Sequence, residues 1–222
     1  MSNRYPGSRV EVHGWEARYY DLLIDFISLG KYPSFIKEVI SLMEIQPADR
    51  IIDFGCGTGR NNLLMLKCLS AQGELVGLDI GEEMIVQFTK RCASYPNAQI
   101  LKVRMEEPLP FSEEFDKAFM SFVLHGFPHQ VREVILTNVQ RVLKPQGEFF
   151  LLDWNEFSLS EAPFFFRLPF KHLECSQATD FIAHDWRAVL TQQGFENLEE
   201  HLFFWQYVRM IRARKVSSGR WK

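Results

Sequence analysis

The run Ile51-Ile52-Asp53-Phe54-Gly55-Cys56-Gly57-Thr58-Gly59-Arg60 constrains this chain more than any other stretch. It predicts a short apolar strand ending on an acid, a turn with three alternating glycines, and a helix from about Asn61. Side chains at the glycine positions would hold a ligand away from the backbone. A second apolar run, Leu75-Val76-Gly77-Leu78, ends on Asp79, about 20 residues past Gly59. Strand, glycine turn, helix and a second acid-ending strand describe a nucleotide-binding βαβ unit, with the second acid placed for ribose hydroxyls. The turn is G-x-G-x-G rather than G-x-G-x-x-G, and an acid stands two residues before its first glycine. A carboxylate there is ill placed beside a pyrophosphate and suits a ligand carrying a positive ammonium or sulfonium group.

The rest of the chain extends this alternation. From Trp15 to about Ile45 apolar residues recur at three and four (Tyr19, Leu22, Leu23, Phe26, Ile27; then Phe35, Ile36, Val39, Ile40, Met43), with Gly30 and Pro33 punctuating two helices. Strands are predicted near 51–54, 74–79, 98–103, 115–122 and 147–153, and helices near 60–70, 82–93, 129–143 and 178–193. Pro47, Pro96, Pro110, Pro128 and Pro145 fall between them. The runs Phe195–Phe204 and Tyr207–Val216 have almost no linker and predict an antiparallel hairpin. The fold class is therefore α/β: a doubly wound, mostly parallel sheet of seven strands, finished by that hairpin and preceded by N-terminal helices.

The pattern D-x-G-x-G-x-G at Asp53–Gly59 resembles the first motif of class I methyltransferases that use S-adenosylmethionine. Leu109-Pro110-Phe111, Phe115-Asp116 and Ser121-Phe122-Val123-Leu124-His125 resemble that family's D-L-P-F, F-D and S-F-V-L-H runs, and Leu143-Lys144-Pro145-Gln146-Gly147 its L-K-P-G-G turn. The segment Tyr20-Asp21-Leu22, Asp25, Ser28-Leu29-Gly30 resembles the start of the ubiquinone/menaquinone C-methyltransferases, so the likeness covers most of residues 15–155. The resemblance implies a Rossmann-like sheet and S-adenosylmethionine as cofactor. It places Gly55, Cys56, Gly57, Thr58 and Gly59 along the methionine end, with Asp53 holding that end or ordering the loop. It gives Asp79 to the ribose, Ile80 and Met105 to the adenine, Ser121 to the methyl donor, and the Tyr20 hydroxyl to the carboxylate. Asn62, Met84 and Glu106 complete the expected cofactor contacts. Two departures stand out: Met105 falls where the family often has an acid for the adenine amino group, and the quinone enzymes' segment after the fifth strand is missing.

Methyl transfer from a sulfonium needs in-line alignment in a dry site, and a carbon acceptor also needs a base. Open α/β sheets place ligands at strand C-terminal ends. His125, expected to end strand four, is the candidate base, and Asp153 and Asn155, expected to end strand five, are candidates to orient a hydroxyl or to satisfy backbone. His129 after Pro128 reads as a helix start, and Cys56 as a small turn residue without a catalytic part. Of 20 phenylalanines, Phe164, Phe165, Phe166 and Phe170 fall in an irregular stretch expected to cover a hydrophobic acceptor or simply to pack. Arg209, Arg212, Arg214 and Lys215 read as protection of an edge strand, with weak attraction to an anionic membrane surface as the lesser reading.

At 222 residues the chain is read as one domain: a helical cap over about 10–46, a core over about 48–155, a lid over about 156–177, and a helix with hairpin over about 178–216. A net charge of −3 argues against a nucleic-acid partner. No run is long and charge-free enough to span a bilayer, Met1–Gly7 lacks a signal-peptide core, and four scattered cysteines predict reduced thiols, no zinc site and a cytoplasmic protein. The acceptor read from the resemblance is a small hydrophobic aromatic such as a demethylated quinol. Another acceptor (a phospholipid amine or a metalloid), a nicotinamide oxidoreductase and a non-catalytic S-adenosylmethionine-binding module are the alternatives. Oligomeric state is left open.

Overall fold

The computed structural model describes Tyr5, residues 30–160, 162–163 and 176–217. Helix α1 (Tyr32–Leu42) has Pro33 in its first turn, where a missing N–H costs nothing, and buries Phe35, Ile36, Val39 and Ile40 along one stripe. Strand β1 (Arg50–Phe54) leads through the glycine turn into α2 (Arg60–Leu66). Then come β2 (Glu74–Asp79), α3 (Glu82–Cys92), β3 (Ala98–Lys102) and β4 (Phe115–Ser121). A short 3-10 turn (Leu124–Gly126) precedes α4 (His129–Val142) and β5 (Leu143–Trp154). Helices α5 (Ser176–Phe181) and α6 (Trp186–Gln192) and strands β6 (Phe195–Phe203) and β7 (Val208–Lys215) complete the described chain.

The seven strands form one sheet in the order β3-β2-β1-β4-β5-β7-β6. β1 to β5 pair in parallel, and β7 runs antiparallel to both β5 and β6. Alternation along the strands splits the core between two faces. Ile51, Leu75, Phe119 and Phe150 meet α1, α2 and Phe88 of α3, while Ile52, Phe54, Met120 and Phe149 meet α4 together with Phe181 and Trp186. Both faces being covered explains why these strands read as nearly unbroken apolar runs. Strand order reverses between β1 and β4, so a crevice opens beyond their C-terminal ends. Among the described residues, no helix is long and apolar enough to cross a membrane.

Several expectations change. The single helix predicted over 178–193 is two, because Asp185 caps α6 by accepting the Ala188 N–H and forces a break after Phe181. β5 starts at Leu143, which already pairs with Phe115. The chain then bulges, with Gln146 at a φ of 66°, before Glu148 rejoins opposite Lys117. His125 lies in the 3-10 turn after β4 rather than at its end. The basic final strand is not an edge: β7 is interior and β6 is the edge. Its cations are met by carboxylates, Arg212 and Arg214 by Glu148, Arg209 by Glu156 and Glu200, and Lys215 by Glu113, so they neutralise acids across the sheet. Burial alone would push the Glu148 carboxyl up, but Lys117, Arg212 and Arg214 hold it below its ordinary value. The predicted helix before Gly30, most of the proposed lid with Phe164, Phe165, Phe166 and Phe170, and Cys175 lie outside the described residues.

Candidate active site

The glycine turn is fixed from below by β2. The N–H groups of Gly55 and Cys56 both donate to the Leu78 carbonyl, and the Gly57 N–H donates to Asp79 Oδ2 at 2.8 Å. Gly55, Gly57 and Gly59 all take the left-handed conformation, at φ 78°, 54° and 75°. A Cβ at Gly59 would stand 2.8 Å from the Phe88 ring, so this glycine lets α3 close against the turn. Gly57 has nothing within 4 Å of such a Cβ, so its backbone is open to an incoming ligand. Thr58 is buried, and its carbonyl and hydroxyl oxygens both accept from Arg91 of α3. The Cys56 thiol is pushed well up by burial and then by the charges of Asp53 and Asp79, which removes it as a nucleophile.

Two carboxylates flank the turn. Asp53 is fully buried, and its Oδ2 accepts from Asn62 Nδ2 at 2.8 Å. Among the described residues its Oδ1 has no donor, and neither has Asn62 Oδ1. Burial, against the Asn62 hydrogen bond and helped by the charge of Asp79, raises the Asp53 carboxyl to about 7. Asp79 is raised by burial too, with partial compensation from the N–H groups of Gly81, Gly57 and Ile80. Two orphaned acceptor oxygens, a buried acid beside a part-buried one and a part-exposed glycine backbone fit a ligand bearing N–H donors and positive charge.

Of the residues expected around the adenine, Ile80 is half-buried, Met84 packs under Gly81, and Met105 lies buried beside Gly55. The Met105 carbonyl accepts from Asn138 Nδ2 at 2.8 Å, and Glu106 Oε1 accepts from the Tyr5 hydroxyl at 3.1 Å and from Arg104. Ser121 Oγ accepts from Asn61 Nδ2, whose Oδ1 accepts from the Tyr32 hydroxyl, each at 3.2 Å. Tyr20 lies outside the described residues. Asn61 and Tyr32 were not singled out from sequence. Asn61 stands in the first turn of α2, a legible position, but nothing local marks Tyr32. Exchanging Asp79 for alanine frees the Gly57 and Gly81 N–H groups and removes the predicted ribose acceptor. Cofactor binding is expected to weaken by roughly 1–3 kcal/mol, read by calorimetry, and an unchanged dissociation constant would remove Asp79 from the pocket.

The two candidate catalytic residues meet where the 3-10 turn after β4 passes the end of β5. His125 Nδ1 lies 2.7 Å from Asp153 Oδ1, and the His125 backbone N–H donates to Asp153 Oδ2 at 3.2 Å. Asp153 is buried and also accepts the Trp154 N–H. Since an ionised carboxylate only accepts, Nδ1 carries the proton and Nε2 is the basic nitrogen. Trp154 and Phe181 flank the imidazole, with Phe181 edge-on at 6.3 Å. Asn155 instead serves the backbone, its N–H donating to Tyr207 O and its side chain to Gln206 O. His129 opens α4 and stacks on His184 at 4.3 Å.

Residues 51–147 match the family described as a methyltransferase domain. The chain is 29% identical over 140 residues to the demethylmenaquinone methyltransferase of Symbiobacterium thermophilum, a match spanning 62% of this chain and 55% of that one. It is 26% identical over 224 residues to the demethylmenaquinone methyltransferase of Lactiplantibacillus plantarum, covering 91% of this chain and 94% of the relative. Among solved structures, a SAM-dependent methyltransferase from Aquifex aeolicus superposes with a TM-score of 0.62 over 82% of this chain and 89% of its own, a likeness of fold at 19% identity.

Proposed function

Because this chain belongs to the class I methyltransferases that use S-adenosylmethionine, we propose that it methylates carbon of a small hydrophobic aromatic acceptor such as a demethylated quinol. The observation that carries this reading is the His125–Asp153 pair at 2.7 Å, set between Trp154 and Phe181 at the sheet's C-terminal end. An amine or thiol acceptor loses its proton readily, whereas an aromatic carbon needs a base once the new bond forms. The relatives' description as demethylmenaquinone methyltransferases supports the same acceptor class.

In this reading Asp53 Oδ1 and Asn62 Oδ1 accept from the ammonium of the methionine end, and the Gly57 backbone lies against it. Asp79 accepts from the ribose, while Ile80, Met84 and Met105 enclose the adenine. When bound, S-adenosylmethionine supplies an electrophilic methyl group on a positively charged sulfur. Asp153 keeps the proton on Nδ1 of His125, so that Nε2 takes the proton released from the acceptor carbon. Trp154 and Phe181 exclude water and offer aromatic surface to the ring. The carboxylate acts through orientation and through stabilising the imidazolium that results.

The direct test is release of S-adenosylhomocysteine from S-adenosylmethionine with a short-tailed demethylated naphthoquinol. Acceptor-dependent release is the expected result. No release, with cofactor binding confirmed by calorimetry, would discard this acceptor class and leave the cofactor pocket standing.

A further inference from the structure

Arg132 is the least explained charged residue of the described chain. It lies on α4, its side chain is wholly buried, and its carboxylate partner Asp180, at 2.7 Å, is itself 44% exposed. A guanidinium taken out of water needs most of its donors matched. Here the matching comes from two segments far apart in sequence. Nε donates to the Leu124 carbonyl and Nη2 to the His125 carbonyl, both at 3.2 Å and both in the 3-10 turn that carries the candidate base. Nη2 also donates to the Gln177 carbonyl at 2.6 Å, and Nη1 to Asp180 Oδ2, both on α5. The guanidinium further lies over the rings of Phe181, at 5.2 Å, and Trp186, at 5.7 Å.

Phe181 links these contacts to the chemistry. Its ring stacks on Trp186 at 4.2 Å on one side and meets the His125 imidazole edge-on. Asp153 takes Nδ1 of the imidazole, Phe181 and Trp154 border the ring, and Arg132 grips the main-chain carbonyl of His125 itself. The Phe181 and carbonyl contacts involve the same guanidinium. Lysine has one donor head in place of a planar fork and cannot reach four acceptors in two segments at once.

We infer that Arg132 is a positioning residue that clamps the His125 turn to helix α5 and so sets the imidazole in the orientation at which Asp153 and the acceptor can both be served. The inference rests on the reading of His125 as the base, but its principal test does not. A displacement of the imidazole by a fraction of an ångström leaves the fold and the cofactor pocket intact while it degrades proton transfer.

The experiment is a spectrum of histidine-labelled full-length protein, in which the hydrogen-bonded Nδ1 proton of His125 is assigned by its disappearance in His125→Ala. In Arg132→Lys this resonance is expected to shift or broaden. With the short-tailed demethylated naphthoquinol, kcat is expected to fall by about 10- to 100-fold, while the dissociation constant for S-adenosylmethionine stays within about twofold. In the double variant Arg132→Lys/His125→Ala, kcat is expected to be no lower than in His125→Ala alone, since a clamp acting through the imidazole has nothing left to position. A folded Arg132→Lys with an unmoved resonance overturns the inference, as does a double variant in which the two losses multiply. Should Arg132→Lys fail to fold, Asp180→Asn removes one contact from the exposed side and is expected to move the resonance in the same direction by less. An unmoved resonance there overturns it equally. Full activity of His125→Ala would instead sink the base assignment, and the resonance would still decide whether Arg132 positions the ring.

Discussion

In His125→Ala, kcat is expected to fall by about 10²- to 10⁴-fold while S-adenosylmethionine binds unchanged. The imidazole and backbone of His125 bond to Asp153, and among the described residues no hydrogen bond joins the imidazole to Asp53, Asp79 or the glycine turn. The loss should therefore appear in the chemical step rather than in cofactor affinity. The sign of the pH effect is fixed by the role. A base must be unprotonated to act, so the wild-type rate rises with pH on the acid side, and that limb disappears in the variant. Asp153→Asn serves as a companion. An amide can donate toward Nδ1 and so favour the wrong tautomer, and the loss should approach that of His125→Ala without any change in burial. Initial rates across pH for the three proteins decide the matter. A His125→Ala enzyme at full rate would mean that the accepting atom gives up its proton without help, as an amine or a thiol does.

Asp53→Asn is expected to stabilise the ligand-free protein at pH 8 and to weaken S-adenosylmethionine binding. The folded acid keeps its proton up to about pH 7, whereas in the unfolded chain it ionises near 3.8. Between these values the folded state binds the extra proton, so this group's contribution to stability declines as pH rises from about 4 to about 7 and is level above. Three units of displacement correspond to about 4 kcal/mol at the upper limit for a fully buried group. Asparagine keeps an acceptor for Asn62 Nδ2 and carries no charge to be desolvated. The melting temperature of the variant should thus exceed that of the wild type at pH 8, the gap closing toward pH 4. Binding reverses the sign. A cationic ligand favours the ionised acid, so it displaces the proton below about pH 7, and wild-type affinity climbs with pH until the acid is fully ionised. Thermal melts across pH with and without cofactor, together with calorimetry, test both halves. A variant that is less stable than wild type at pH 8 would contradict the buried-acid account.

The nucleotide unit was legible because each of its parts is local. A left-handed turn demands Gly55, Gly57 and Gly59, and each acid follows its own strand. His125 and Asp153 were legible one at a time, and what joins them is the parallel register of β4 on β5, which sets Ser121 beside Leu152. That register is a property of the assembled sheet. Arg132 was illegible for a different reason. On an amphipathic helix a charge reads as solvent-facing, and the acceptors on the 3-10 turn and on α5, more than 40 residues further on, help make its burial tolerable. The order of the last two strands was hidden as well. Both alternate in polarity, and the choice of β7 as the neighbour of β5 follows from Glu148 facing Arg212 and Arg214.

The place of β7 bears on how the protein is made. Strands β1 to β5 are synthesised in an order that lets each find a neighbour already present, yet β7 is translated after β6 and must sit inside it, against β5. Until Val208–Lys215 has left the ribosome, β5, with its run of buried residues from Phe149 to Asp153, has no partner on that side. Until then the nascent chain therefore presents a long apolar strand with an open flank, the kind of surface that chaperones shield and that other nascent chains can capture. Glu148, paired with Lys117 of β4, lacks its two arginines in that interval.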